Sequence, residues 1–346
     1  MLGARDPFCR RARHDVHRVG GVAVLAAGGI RGGCARSGAA RGEGGSVNAI
    51  DLFCGAGGTS TGAVLAGAKI LAAVNHWPRA VATHQANHPA TLHLCEDAAI
   101  VDPTTLPAHD LLLASPSCTG HTRARGTDRP HHDAARATAW CVIRVAEAQR
   151  PRVIAVENVP EMLRWTLYRA WRMALTDLGY RVSEQVLDAA DCGTPQERQR
   201  LIIVASRTRR PIFVAPGQEP RIAARSCLDL DGGSWTQTAQ WCERSRARIA
   251  RAQEQHGSDV LVPYYGSSTG GRSLDRPIGT LTTVDRYALV RGDRGRMLSV
   301  DEMRRLSGFP DGYVLTGTKR EQTAQLGNAV PPPLARHVVR SIMEAV

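Results

Sequence analysis

Asp51-Leu52-Phe53-Cys54-Gly55-Ala56-Gly57-Gly58-Thr59-Ser60-Thr61-Gly62 joins an apolar run, Ala49 to Phe53, to a run able to form a helix, Ser60 to Ala68. The first run reads as a buried strand and the small residues after it as a tight turn. Strand, glycine turn and helix N-terminus make the generic nucleotide site of doubly wound α/β folds. Glycine lets a ligand approach the backbone, and the free N–H groups of the first helical turn face it. The residues specify no more than a nucleotide-like cofactor, and the same turn also serves strand–helix junctions that hold nothing. The dinucleotide pattern G-x-G-x-x-G is not met, because Ser60 stands at its last position.

Downstream the strand–helix alternation continues. Ile70 to Val74 and Thr91 to Cys95 read as strands, with Pro78 to Ala86 as a helix between them carrying Pro in its first turn. Asp110 to Ala114 is a buried strand ending at Ser115-Pro116-Ser117-Cys118, and Val153 to Val156 another, ending at Glu157-Asn158. The polar stretch Thr119 to Asp133 predicts a mobile loop, Ala134 to Gln149 a helix, and Glu161 to Leu178 a helix closed by Gly179. Tyr180 to Leu187 and Leu201 to Ala205 supply two further strands. Apolar runs bounded by turns predict a sheet covered on both faces. Ligands of such sheets bind outside the carboxyl ends of the strands. The Gly-rich turn, Asn75-His76-Trp77, Cys118 and Glu157 all fall there. A cysteine in such a crevice can act as a nucleophile, and a glutamate beside it as a proton donor when its pKa is raised.

Charge sets the rest of the chain apart. The net charge is +12 over 346 residues, which points to a polyanionic partner, nucleic acid being the commonest. Residues 206–296 carry fifteen Arg against nine acids, and residues 1–46 eight Arg against three. A DNA-facing second domain is the reading of the first segment. For the second it is a disordered tail, or translated sequence upstream of a start at Val47. Arg10 to Arg18 followed by Val22 to Ala27 imitates a signal peptide, but nothing downstream suits export. Only Lys69 and Lys319 are lysines, so the arginine excess also reflects codon composition. Nine cysteines without a C-x-x-C pair give neither a disulfide framework nor a zinc signature. No run reaches the roughly 18 apolar residues of a membrane span.

Six segments, met in order, resemble the motifs of DNA cytosine C5-methyltransferases. They are Asp51 to Gly62, Pro116-Ser117-Cys118, Glu157-Asn158-Val159, Gly193 to Arg200 (a P-Q-x-R-x-R segment), Arg296-Met297-Leu298 to Gly308-Phe309-Pro310, and Gly327 to Pro332. Arg276 to Thr283 is similar to a further family element. The resemblance implies a doubly wound, Rossmann-like α/β methyltransferase domain with a smaller basic target-recognition domain. The expected division is a tail at 1–46, a catalytic S-adenosylmethionine-binding domain at 47–205, the recognition domain at 206–296, and C-terminal helices returning to the catalytic domain at 297–346. It implies Cys118 as the nucleophile on C6 of a flipped-out cytosine, Glu157 at the ring N3, and Arg200, with Arg198 nearby, at O2. For S-adenosylmethionine it implies Phe53, Gly55, Ala56, Gly57 and Gly58, His76 and Trp77 after the second strand, Asp97 after the third, and Asn328 in the closing block.

Two positions depart from the family pattern. Ser117 replaces a proline before the nucleophile, and His76 stands where an acidic residue usually binds the ribose hydroxyls. The expected partner is double-stranded DNA, with a possible cognate restriction endonuclease, no metal and no membrane. The expected protein is a monomer of prokaryotic or phage type, cytoplasmic and nucleoid-associated. The alternatives are an RNA cytosine-5 methyltransferase on the same fold and a catalytically inactive DNA-binding relative.

Overall fold

The computed structural model describes residues 46–117, 136–264 and 270–346. Its first layer is a seven-stranded sheet. The strands are β1 (Asn48–Leu52), β2 (Lys69–Val74), β3 (Leu92–Leu94), β4 (Leu111–Ala114), β5 (Val153–Asn158), β6 (Arg181–Asp188) and β7 (Gln199–Ser206), in the order β3-β2-β1-β4-β5-β7-β6. Neighbours from β3 through β5 are parallel, whereas β7 runs antiparallel to both β5 and β6. The order reverses between β1 and β4, which is where an open α/β sheet opens a crevice.

The unbroken apolar runs follow from burial on both faces. Ile50, Leu52, Val74, Leu112, Ile154 and Val156 face one core with Trp171 and Leu175 of α4 (Tyr168–Asp177) and Val142 of α3 (Trp140–Gln149). Ala49, Ile70, Leu111, Leu113, Val153 and Ala155 face the other, under α1 (Gly58–Leu65) and α8 (Pro332–Ala345). The helix α2 (Pro78–Asn87) links β2 to β3. The expected continuous helix from Glu161 is broken. Pro160–Arg164 forms a 3-10 turn that buries Met162, and α4 begins only at Tyr168.

A second, five-stranded antiparallel sheet follows: β8 (Thr236–Gln237), β9 (Asp259–Pro263), β10 (Arg272–Ser273), β11 (Tyr287–Arg291) and β12 (Arg294–Met297), in the order β10-β9-β11-β12-β8. Its strands alternate between two cores. Val260, Val262, Ala288 and Val290 pack with Ile249 and Ala252 of α5 (Glu243–His256). Leu261, Tyr287 and Leu289 pack with Met303 and Leu306 of α6 (Val300–Leu306) and Leu326 of α7 (Lys319–Asn328). The core beneath this sheet therefore draws on residues either side of 297, while α8 lies along α1. Ile212 and Val214 belong to the core of the first sheet. No helix among the described residues is long and apolar enough to cross a membrane.

The α1–α8 contact explains one glycine. A Cβ at Gly62 would lie 2.5 Å from the Cβ of Ala335 and 2.5 Å from the carbonyl oxygen of Pro332. Gly62→Ala improves helix propensity by about 1 kcal/mol, but overpacking of this kind costs about 1–3 kcal/mol. The expected outcome is a net loss of stability, read as a lowered thermal midpoint; a raised midpoint would contradict this packing.

Candidate active site

Strand register levels one rim of the first sheet. Leu52 pairs with Val74 and with Ala114, Val74 with Leu94, and Ala114 with Val156. The residues that follow each strand residue, Phe53, Asn75, Cys95, Ser115 and Glu157, consequently border the same edge. The antiparallel β7 enters from that edge, with Asn158 opposite Leu201, which brings Arg200 to it.

The turn after β1 is built from left-handed residues: Phe53 has φ 61°, Gly55 52° and Gly57 92°. It is pinned at both ends, Cys54 N donating to Val74 O at 3.1 Å and Thr61 N to Gly57 O at 2.8 Å. The glycines serve different neighbours. A Cβ on Gly55 would meet nothing closer than Phe53 O at 3.9 Å, so this side of the turn is open to a ligand. A Cβ on Gly57 would lie 2.5 Å from Tyr313 Oη, and one on Gly58 2.0 Å from Val330 O. Those two glycines admit the protein's own C-terminal segment. Ala56 is buried, and its carbonyl accepts from Tyr313 Oη at 2.5 Å.

Beneath the turn lies a polar chain that reading the sequence had missed. Ser60 Oγ donates to Asp51 Oδ2 at 2.6 Å, and His84 Nε2 lies 2.9 Å from the same hydroxyl. His84 Nδ1 is in turn 2.8 Å from His93 Nε2, and His88 Nε2 is 3.0 Å from Thr61 Oγ1. Burial pushes the fully buried Asp51 carboxyl up to about 7, the Ser60 bonds working against it. Burial also lowers His84 to about 3 and His88 to about 4, so both rings are neutral. The spacing of His84 in α2 and His88 at its C-cap, four residues apart, was the available signal. The chain ties β1, α1, α2 and β3 together under the elements that border the crevice.

The remaining cofactor candidates sit around this turn. His76 is exposed, and Trp77, half-buried, caps α2 with its N–H donating to Asn75 Oδ1 at 2.9 Å. Asp97 is exposed after β3 and accepts from Ala99 N at 2.9 Å. Asn328 is the exposed last residue of α7, next to the Ala329-Val330 segment that meets Gly58.

At the other end of the rim, Arg200 Nε donates to Glu157 Oε1 at 2.7 Å, their side chains only 10% and 16% exposed. Arg200 Nη1 also donates to Gln199 O at 2.7 Å. Asn158 Nδ2 donates to Pro116 O at 3.0 Å, and Ser117 N to Thr138 Oγ1 at 3.1 Å, which fixes the end of β4 beside β5. Cys118 and the stretch Thr119 to Asp133 lie outside the described residues. A small, almost wholly apolar crevice lies between the sheet and α8, bordered by Thr59, Ser115, Glu157, Val330 and Leu334. Arg198 is engaged elsewhere: it is buried and donates to Leu281 O at 3.1 Å and Gly327 O at 2.8 Å. Among the described residues no cluster of His, Cys, Asp or Glu is arranged to hold a metal ion.

A sheet of this order, with a glycine turn after β1 and a crevice along one rim, is a Rossmann-like α/β fold of the kind that methyltransferases share. Residues 47–344 match the family model described as C-5 cytosine-specific DNA methylase, and the chain belongs to that family. It is similar to the Type II methyltransferase M1.HphI of Haemophilus parahaemolyticus, 28% identical over 334 residues, with 86% of this chain and 87% of the relative covered. It is also similar to the Type II methyltransferase M.HgiDI of Herpetosiphon aurantiacus, 28% identical over 305 residues, covering 86% and 94%. Two crystal structures share the fold. A candidate DNA modification methyltransferase encoded within a prophage (E. coli) has a TM-score of 0.65 and 21% identity, with 86% of this chain and 99% of that one covered. The S. pombe Dnmt2 methyltransferase has a TM-score of 0.60 and 18% identity, covering 87% and 99%.

Proposed function

We propose that this DNA cytosine-5 methyltransferase acts on C5 of a cytosine flipped out of duplex DNA, through a covalent bond between Cys118 and C6. The observation that carries the reading is the Glu157–Arg200 pair, closed at 2.7 Å and almost removed from solvent at the strand ends, next to Asn158, which binds Pro116. Cytosine C5 is a poor nucleophile. A thiolate bonding to C6 pushes electron density onto C5, and Glu157, hydrogen-bonded or giving a proton at N3, stabilises the charge that develops in the ring. Arg200 holds the carboxyl of Glu157 and presents donors to O2. Once C5 carries the methyl group, water takes the C5 proton, the electron pair of that C–H bond restores the C5–C6 double bond, and Cys118 leaves as the thiolate to release 5-methylcytosine. C6 is unreachable within a base stack, which is why the base leaves it.

S-adenosylmethionine is the cofactor that fits, and when bound it supplies an electrophilic methyl group. The fit rests on the open side of Gly55, where backbone approach is unobstructed, between residues at three strand ends. Phe53 and Gly55 form its cradle, and Ala56, Gly57 and Gly58, expected there from the sequence, hold the turn in shape against Tyr313 and Val330 instead. Trp77 offers a ring face, His76 a hydrogen bond in place of a carboxylate, and Asp97 and Asn328 polar contacts at the two sides.

The arginine-rich 206–296 segment, which folds from residue 236 onward as the second sheet with α5, faces the DNA phosphates. The protein works as a monomer in the cytoplasm at the nucleoid. The Type II names of its relatives support a restriction endonuclease as its counterpart.

The test is incubation of the full chain and S-adenosylmethionine with duplex DNA or RNA carrying 5-fluorocytosine, which blocks loss of the C5 substituent. A band that survives a denaturing gel is expected with DNA. A band with RNA alone transfers the reading to RNA, and none with either makes the protein an inactive relative.

A further inference from the structure

Arg198 lies two residues before Arg200, yet it makes its hydrogen bonds at the junction of the two sheets. The segment Pro195 to Arg198 runs parallel to 278–281. Ile278 N donates to Pro195 O at 3.0 Å, Glu197 N to Ile278 O at 2.8 Å, and Leu281 N to Gln196 Oε1 at 3.1 Å. Thr280 Oγ1 adds a bond to Glu197 O at 3.0 Å. Across this ladder the Arg198 guanidinium gives Nη1 to Leu281 O and Nη2 to Gly327 O. Gly327 in turn lies flat against Thr282, where a Cβ would come within 2.4 Å of backbone atoms. One planar fork therefore holds the last segment before β11, the turn that presents Asn328, and the strand that carries Arg200.

We propose that Arg198 is a positioning residue that couples cofactor binding at the Asn328 turn to the 278–283 segment of the recognition domain. The inference rests on the cofactor reading given above. Carbonyl oxygens only accept, and a guanidinium reaches two of them at fixed spacing, whereas a lysine presents one compact charge. Ordering the Asn328 turn restrains Gly327, and through Arg198 it restrains Leu281. The coupling is reciprocal by linkage, so DNA that orders the recognition domain favours the cofactor in the same measure.

Amide hydrogen exchange of the full chain, with and without S-adenosylhomocysteine as the probe, tests this. In the unmodified protein exchange should slow at 53–58 and, by about threefold or more, at 278–283. In Arg198→Lys the slowing at 53–58 should persist and that at 278–283 should vanish. Equal protection of 278–283 in the variant overturns the coupling, as does its absence in the unmodified protein; this second comparison stands even if the variant does not fold. No change at 53–58 in the unmodified protein would remove the cofactor reading and the coupling with it.

Discussion

Cys118→Ser is expected to abolish the covalent band with 5-fluorocytosine DNA and to lower turnover by about three orders of magnitude or more, the scale on which loss of a nucleophile acts. The thermal midpoint should barely move. Three buried cysteines provide the contrast. Burial raises the thiols of Cys54 and Cys141 and pushes Cys192 up to about 12, so none of them presents a thiolate near neutral pH. Cys141→Ala and Cys192→Ala should accordingly keep the band, with some loss of stability from the buried volume removed. A Cys118→Ser protein that still forms the band would end the assignment.

Glu157→Gln should reduce the single-turnover rate by about two orders of magnitude, a typical effect of losing acid–base help, while DNA affinity stays within a few-fold. The separation follows from geometry. Glu157 and Arg200 are nearly enclosed and face each other, so their change is felt by a base that has entered the site and hardly by the duplex outside it. Arg200→Ala should act on the same step, and the double variant should be no worse than the more damaged single one, as befits a pair acting as a unit. If DNA affinity collapsed while the bound complex reacted at its normal rate, the pair would belong to duplex binding instead.

The first sheet was legible because burial on both faces writes long apolar runs, and because the runs of β1, β2 and β5 stop beside candidate site residues. Phe53, His76 and Glu157 could be placed at strand ends from those stops alone. The second sheet was not legible. Val260-Leu261-Val262 and Ala288-Leu289-Val290 are fully buried strands, but they are short and set among arginines, and charge dominated the reading of the whole segment. Arg198 shows a different limit. Sequence places it beside Arg200, and only the tertiary arrangement reveals that its fork is taken up by Leu281 and Gly327. The Asp51–Ser60–His84–His93 chain was hidden for the same reason, since its four residues come from four separate elements. The resemblance supplied the chemistry, whereas the physics of periodicity supplied the sheet.

The packing of α8 along α1 also governs how the protein is made. Nearly the whole described chain separates these two helices, yet Gly62 and Ala335 meet at a distance that only completed packing allows. During translation the face formed by Ala49, Leu111 and Ala155 leaves the ribosome well before Leu334, Val338 and Ile342 arrive to cover it. Closure over so long a loop is slow, and a half-finished chain carries an uncovered apolar sheet through most of its synthesis. Slowing translation in the last third of the message should therefore raise the aggregated fraction in a host cell.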